Sequence, residues 1–598
     1  MPPTLLPPSV PAVPSRATLA RLVGRFRPER GRALFVLGLQ VLRTAAEIAS
    51  PLLVGLAVGS LEAFQGKGGV PPASFRTLVV LLAVSILVRS ALQWTATTAA
   101  AALGQDLENR LRRDLFAQVM RLRFRWHDEN RSGKTIARSL RDMEKAKAFF
   151  REVAFGYVEI GLVVLGALAM TFATHWTYGV GVGGIVVLTV AGTCAAASRI
   201  ARMDRGVSDL YDQVTTVLQE NVAGARVVRA FGRETEESAK FEGHLGGFSG
   251  AWKGLALFWT TVMPIVSHFA TLVVPAALVV GGWRVAAGGA ARVPEVIAVL
   301  LYMRTVRDRL RPLTRLVILG QEAVASATRV FEVLDRDDVL GRPAHPAVLP
   351  ERGGELVFED VTFAYPGGRP VLAGVNLRVP AGSSLGILGP TGAGKTTLVH
   401  LIPRFYDPTA GRILLDGIDV RDLDPADLAA AVGLVFQEPF LFSATVAENV
   451  AYGAPAATRE RVAACVTLAA ADEFVNALPA GLDTRVGERG VSLSGGQRQR
   501  LTIARALAMD PRVLVFDDAT ASVDAATERL LFEGIRAAAR GRTTLVISQR
   551  VTSVRWCDRI AVLEDGRVSA LGTHDELARS CDLYKEVLEH QTLEGALP

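Results

Sequence analysis

Hydrophobic residues follow two regimes along this chain. Up to about Leu319 they gather into long apolar runs separated by polar connectors, while from about Arg329 onward short strand-like and helix-like stretches alternate with glycine-rich turns. Six runs are candidates to cross a bilayer as helices: near Leu34 to Leu61, Leu78 to Gly104, Val153 to Ala173, Tyr178 to Ser198, Phe258 to Ala286 and Val296 to Leu319. A crossing needs roughly 20 apolar residues, and only a helix satisfies its own backbone hydrogen bonds in hydrocarbon. The sixth run is interrupted by Arg304, Arg307, Asp308, Arg309, Arg311 and Arg315. In the second regime the apolar runs are those of parallel strands buried on both faces. The pattern predicts an α-helical membrane domain of six transmembrane helices followed by an α/β domain. Residues 1–15 form a flexible Pro-rich tail, 16–325 the membrane domain, 326–350 a linker and 351–598 the α/β domain.

Two connectors are too long to be turns, Gln105 to Glu152 and Arg199 to about Trp252. Their charge and helical periodicity predict that each continues a pair of helices into the cytosol. Basic residues flank those sides: Arg21, Arg25, Arg27, Arg30 and Arg32 precede the first run, and Arg110, Arg112, Arg113, Arg121, Arg123 and Arg125 follow the second. The connectors around Gly66 to Ala73, His175 to Thr177 and Gly288 to Val293 carry few charges. That asymmetry places both termini in the cytosol of a multi-pass protein of the plasma membrane. The opening MPPTLLPPSVPAVP lacks the basic start and apolar core of a signal peptide, so it reads as a tail before a short amphipathic helix. Arg43, Glu47, Arg89 and Glu159 lie inside apolar runs, with His268 in the fifth; they form either a polar substrate path or pairs between helices.

Composition adds little to this picture. Half of the 598 residues are hydrophobic and the net charge is +7. The basic residues cluster beside apolar runs, where lipid headgroups account for them, and no basic stripe with stacking aromatics points to nucleic acid. Four cysteines, Cys194, Cys465, Cys557 and Cys581, have neither metal nor disulfide spacing.

Chemistry enters at Ser384 to Ile402, which reads as a strand, a glycine-rich turn and the start of a helix. It holds a phosphate-binding loop, Gly389, Pro390, Thr391, Gly392, Ala393, Gly394, Lys395, Thr396, followed by Thr397. Glycines let backbone amides close around a phosphate, Lys395 reaches the β- and γ-phosphates of ATP, and Thr396 offers its hydroxyl to Mg²⁺. Downstream, a buried strand ends in Asp517, a carboxylate suited to the metal shell.

Together with Gln437 in VFQEP, the LSGGQ run from Leu493 to Gln497, Asp524, and the strand before Gln549, these residues resemble the nucleotide-binding domain of ATP-binding cassette (ABC) transporters. The preceding half resembles their six-span exporter domain. Within it, ENVAGARVVRAFGRE, Glu220 to Glu234, is similar to the second cytosolic loop of that class, and TRVGERG, Thr484 to Gly490, to its transmission loop. The resemblance implies that Tyr365 stacks on adenine and that Gln437 senses Mg²⁺ and the membrane domain. It also implies that Ser494, Gly495, Gly496 and Gln497 close over ATP held by an opposing domain. Two such domains sandwich two ATP molecules head to tail, so a chain with one domain of each kind requires a second ABC half-transporter as partner.

Two positions depart from the family pattern. Asp518 stands where a glutamate polarises the attacking water, and Gln549 stands where a histidine meets the γ-phosphate. The run ASVD, ending at Asp524, replaces the usual SALD. The resemblance therefore implies an exporter subunit whose own site retains ATP while its LSGGQ completes the partner's site in a heterodimer. A weakly active homodimer, an ATP-gated channel-like module and an importer are the other readings. Spans rich in Ala, Val, Leu and Gly fit amphiphilic drugs, lipids or peptides, in contact with membrane lipids, without choosing among them.

Overall fold

The structure, a computed structural model, describes residues 16–62, 64, 73–129, 142–286, 293–310, 312–487, 493–519 and 525–593. The chain divides into two compact units, one of residues 1–121 and 130–337, the other of residues 122–129 and 338–598.

The first unit is helical throughout its described residues. It comprises α1 (Arg16–Gly24), α2 (Arg30–Glu62), α3 (Ala73–Arg121), α5 (Asp142–Thr174), α6 (Trp176–Ala223), α7 (Ala225–Ala230), α8 (Glu234–Thr271), α9 (Val273–Ala286), α10 (Val293–Leu310) and α11 (Leu313–Leu334), with α4 (Phe124–Glu129) assigned to the second unit. Among the described residues, four stretches, residues 16–62, 73–121, 142–174 and 176–223, are long and apolar enough to cross a membrane. The fifth and sixth apolar runs are each divided between two helices. Pro275, near the start of α9, has no amide to bond back into the preceding turn, and Pro312 caps the start of α11 after α10 has ended at Leu310. At 14 residues α9 is too short to span alone, and α10 carries Arg304, Arg307, Asp308 and Arg309, which interrupt the sixth run.

Small residues let these helices approach closely. Gly55 and Gly59 lie one turn apart on α2, and a Cβ on Gly55 would come within 3.0 Å of Ala298 on α10. Helix α1 is fastened to α11 by an Arg21–Asp335 pair at 2.7 Å and by Arg21 lying 4.1 Å over the Phe331 ring. None of the most apolar stretch of α3 is buried in the unit. Three of the charged residues inside the runs are paired, together with Arg309: Arg43 with Glu159 at 2.8 Å, Glu47 with Arg309 at 2.7 Å, and Arg309 also with Glu159. Gln93 accepts from Arg43, so α2, α3, α5 and α10 share one charge-balanced network. His268 instead turns its Nδ1 to the Pro264 carbonyl one turn back on α8.

The second unit contains two sheets. The first, in order β2-β1-β4-β5, is antiparallel: β1 (Leu356–Ala364), β2 (Pro370–Val379), β4 (Ala410–Leu415) and β5 (Ile418–Asp419). The second runs β10-β9-β3-β8-β7-β6, with β3 (Ser384–Leu388), β6 (Val432–Val435), β7 (Val513–Asp517), β8 (Thr543–Ser548) and β9 (Arg559–Glu564) parallel and β10 (Arg567–Gly572) antiparallel at its edge. Strands β7 and β8 are buried at every position, as the uninterrupted apolar runs predict. Around the sheets lie α12 (Lys395–Leu401), α13 (Pro425–Ala431), α14 (Val446–Val450), α15 (Arg459–Leu468), α16 (Asp472–Asn476), α17 (Gly495–Ala508), α18 (Ala525–Ala539), α19 (Val551–Val554), α20 (His574–Ser580) and α21 (Asp582–Leu593).

The first long connector differs from the simple helix pair that its periodicity predicts. Helix α3 stops at Arg121, and Leu122 forms a β-bridge with Val339 while the Arg123 amide donates to the Asp338 carbonyl at 2.9 Å. Residues 122–129 thus pack as part of the second unit. Phe124 stacks on Phe405 at 4.5 Å, and Phe405 stacks in turn on Phe436 at 6.1 Å. The second connector is a helix pair, α6 and α8, joined through α7 at Gly224 and Gly232; Gly232 has a positive φ of 59°.

Candidate nucleotide site

Four parallel strands, β3, β6, β7 and β8, end at one edge of the second sheet, and the loops leaving that edge carry most of the residues that the sequence singles out. Ligands of open α/β sheets bind beyond the carboxyl ends of the strands. After β3 comes Gly389, where a Cβ would lie 2.2 Å from the Leu563 carbonyl, and Gly394, whose φ of 96° starts α12. Any side chain at Gly389 would collide with β9, so the backbone alone shapes this loop. Lys395 is buried; its Nζ donates to the Gly389 and Pro390 carbonyls at 2.7 and 2.8 Å, which curls the loop around its own cation. Burial lowers the Lys395 pKa against the opposing pull of Asp518 and Asp517.

Strand β7 delivers Asp517, whose Oδ1 accepts from the Thr396 hydroxyl at 3.4 Å. Burial raises the Asp517 pKa to about 6, the Thr396 hydrogen bond and Lys395 opposing and neighbouring Asp518 reinforcing that rise. A hydroxyl and a carboxylate this close form the hard oxygen donor set that suits Mg²⁺. Gln437 is exposed on the adjacent loop just after β6.

Asp518 follows directly, with its amide donating to the Ile547 carbonyl at 2.9 Å and a left-handed φ of 47°. Its carboxylate accepts from the Ser548 hydroxyl at 3.4 Å. Gln549 is exposed immediately beyond. The two altered positions therefore leave neighbouring strands side by side. Tyr365, one residue past β1, hydrogen-bonds through its hydroxyl to Thr397 at 3.2 Å and meets the rings of Phe363 and Tyr406 edge-on.

The LSGGQ run opens α17. Ser494 is its N-cap: the Ser494 hydroxyl accepts from the Gln497 amide at 3.2 Å, and the Gln497 side chain accepts from the Ser494 amide at 2.9 Å. This capping box leaves Gly495 and Gly496 in the first turn, where amides have no partner within the helix and favour an anion. Farther along, α17 carries two residues that the sequence reading missed. Gln499 donates to the Phe436 carbonyl at 3.2 Å, and Arg505 donates to Phe440 at 2.9 Å and Asn449 at 2.8 Å, so this helix holds both sides of the loop bearing Gln437. Thr484 to Val486 are paired with residues 444–446 through Val446–Thr484 and Val486–Ala444 hydrogen bonds. Glu488 to Gly490 and the ASVD run through Asp524 lie outside the described residues.

Residues 33–310 match the family described as ABC transporter transmembrane region, and residues 372–521 match that described as ABC transporter. An ATP-dependent lipid A-core flippase of Thiobacillus denitrificans is 33% identical over 96% of this chain and 98% of its own length. The chain belongs to the ABC transporter family. An ABC transporter B family member 1 of Dictyostelium discoideum is 29% identical over 96% of this chain, which spans 63% of that protein. The solved structure of a bacterial Atm1-family ABC exporter with ATP bound superposes with a TM-score of 0.82 at 28% identity, covering 94% of this chain and 98% of the other. In this ABC transporter a helical membrane region and an α/β cassette lie on one polypeptide, the architecture of an exporter half-transporter.

Proposed function

We propose that this half-transporter is one subunit of an ATP-driven exporter, that its own site binds ATP and cleaves it slowly, and that its LSGGQ helix completes a faster site on a partner chain. The observation that carries the proposal is the contrast within one strand edge. Lys395, Thr396 and Asp517 form a complete set for phosphate and metal, while Asp518 and Gln549 stand where water activation belongs. A carboxylate one methylene shorter withdraws its oxygens by about 1.5 Å, and misplacement on the order of 1 Å costs roughly a hundredfold in rate. Asp518 also accepts from Ser548, which competes for the oxygens that would orient water. Gln549 has neither a cationic form nor a relayed proton.

In this reading the amides of Gly389 to Thr396 bind the phosphates, Tyr365 faces adenine, and Thr396, Asp517 and Gln437 hold Mg²⁺. The ion, when bound, neutralises phosphate charge. Ser494, Gly495 and Gly496 act on ATP bound to the partner. The flippase relative and the Ala-, Val-, Leu- and Gly-rich spans favour an amphiphilic substrate of the lipid or hydrophobic-drug class.

The test is hydrolysis by the reconstituted pair. Asp518→Gln is expected to leave the steady-state rate nearly unchanged, while replacing the partner's equivalent glutamate nearly stops it. An ordinary rate from this chain alone, abolished by Asp518→Gln, establishes an active homodimer instead.

A further inference from the structure

The loop that carries Gln549 is gripped from its far side by the last described helix. Strand β8 ends at Ser548, and the chain turns through Gln549 and Arg550 into α19, whose N-cap residue Arg550 makes no side-chain cap. Two amides of this turn are held by side chains. Arg550 N–H donates to the Ser548 hydroxyl at 3.0 Å, and Val551 N–H donates to Oε1 of Gln591 at 2.9 Å. The same Gln591 carboxamide donates through Nε2 to the Gln549 carbonyl at 2.9 Å. One side chain on α21 therefore spans the turn, an acceptor for one peptide and a donor for another.

This grip is itself anchored. Tyr584, at the start of α21, is fully buried, and its hydroxyl pairs with His574 on α20 at 2.7 Å. Leu583, Val587 and Leu588 pack against the core cluster that contains Val551 and Val554 of α19. On the opposite face, the Ser548 hydroxyl that receives Arg550 N–H also donates to the Asp518 carboxylate. The turn is thus suspended between the carboxylate at the end of β7 and an amide on the C-terminal helix. Among the twenty side chains only Gln and Asn present a planar donor and acceptor matching a peptide C=O and N–H together.

We infer that Gln591 is a positioning residue for the ATP site: it fixes the backbone of the turn so that the Gln549 side chain stays at the phosphate end of the sheet, and it makes nucleotide retention depend on the seating of α21. The inference rests on the reading of Gln549 as a phosphate-facing position.

The experiment compares wild type, Gln591→Leu and Gln591→Glu as full chains assembled with the partner in lipid nanodiscs. It measures release of radiolabelled ATP, hydrogen exchange at the Gln549 to Val551 amides, and thermal unfolding. Glutamate keeps the acceptor for Val551 and loses the donor to Gln549. Gln591→Leu is expected to release ATP about tenfold faster and to raise Val551 exchange by a similar factor, the scale of one hydrogen bond. Gln591→Glu is expected to keep Val551 protected and still release ATP faster than wild type. Unchanged release in both variants overturns the inference, whether or not the melting temperature falls. Should wild type itself retain no label, the slow-site reading fails, and the exchange comparison still decides whether Gln591 holds the turn.

Discussion

Asp518 sits in the left-handed backbone region, where aspartate is tolerated better than glutamate because its short side chain meets local backbone groups. Restoring the family pattern here therefore sets two effects against each other. Asp518→Glu with Gln549→His is expected to raise hydrolysis at this site by two to three decades, the effect of about 3–4 kcal/mol of regained transition-state stabilisation, at a folding cost of about 1 kcal/mol or less. Single-turnover hydrolysis in a complex whose partner site has been disabled checks the gain, and an unchanged rate shows that these side chains do not limit cleavage. At this scale the sequence was legible wherever chemistry depends on neighbours in the chain: the phosphate loop, Asp517 and the LSGGQ run are all local. Gln499, Arg505 and Gln591 were not, since each bonds to backbone at least 40 residues away and a carbonyl partner leaves no mark in composition.

Among the elements, the signature helix α17 has two separable tasks. Its cap stabilises the fold, while its first-turn amides are proposed to receive an anion. Ser494→Ala is expected to lose about 1 kcal/mol of domain stability with the cap. Ser494→Asp preserves a capping oxygen and puts a negative charge where a phosphate is proposed to approach, so its melting temperature should match wild type while ATPase activity of the assembled pair collapses. Calorimetry and steady-state hydrolysis on the same preparations check both, and normal activity in the aspartate variant argues against a trans role. Hydrophobic periodicity gave most of the elements, but it could not show where residues 122–129 pack. An aromatic such as Phe124 in a short helix has the same signature whichever core receives it, and Phe405 and Phe436, which decide the matter, come 281 and 312 residues later. The breaks at Leu272 and Pro312 were likewise obscured, because apolar content continues straight through them.

For the molecule as a whole, the pairing of buried Glu47 with half-buried Arg309 has a consequence in time. The two residues are separated by 262 positions, so at roughly 5–20 residues per second Glu47 is made some tens of seconds before its counter-ion. A lone charge at mid-membrane depth costs about 2.5–3.5 kcal/mol on insertion scales. During that interval α2 must wait beside the translocon or borrow Arg43, one turn away, as a temporary neighbour. Glu47→Ala and Arg309→Ala are each expected to shorten the half-life of newly made protein in a pulse-chase, and the exchanged pair Glu47→Arg with Arg309→Glu to recover part of it. Equal half-lives for all three would mean that the cell does not sense the missing partner. Birth order thus makes the last apolar stretch the one that certifies the first, and a chain truncated before Arg309 carries a built-in mark for quality control.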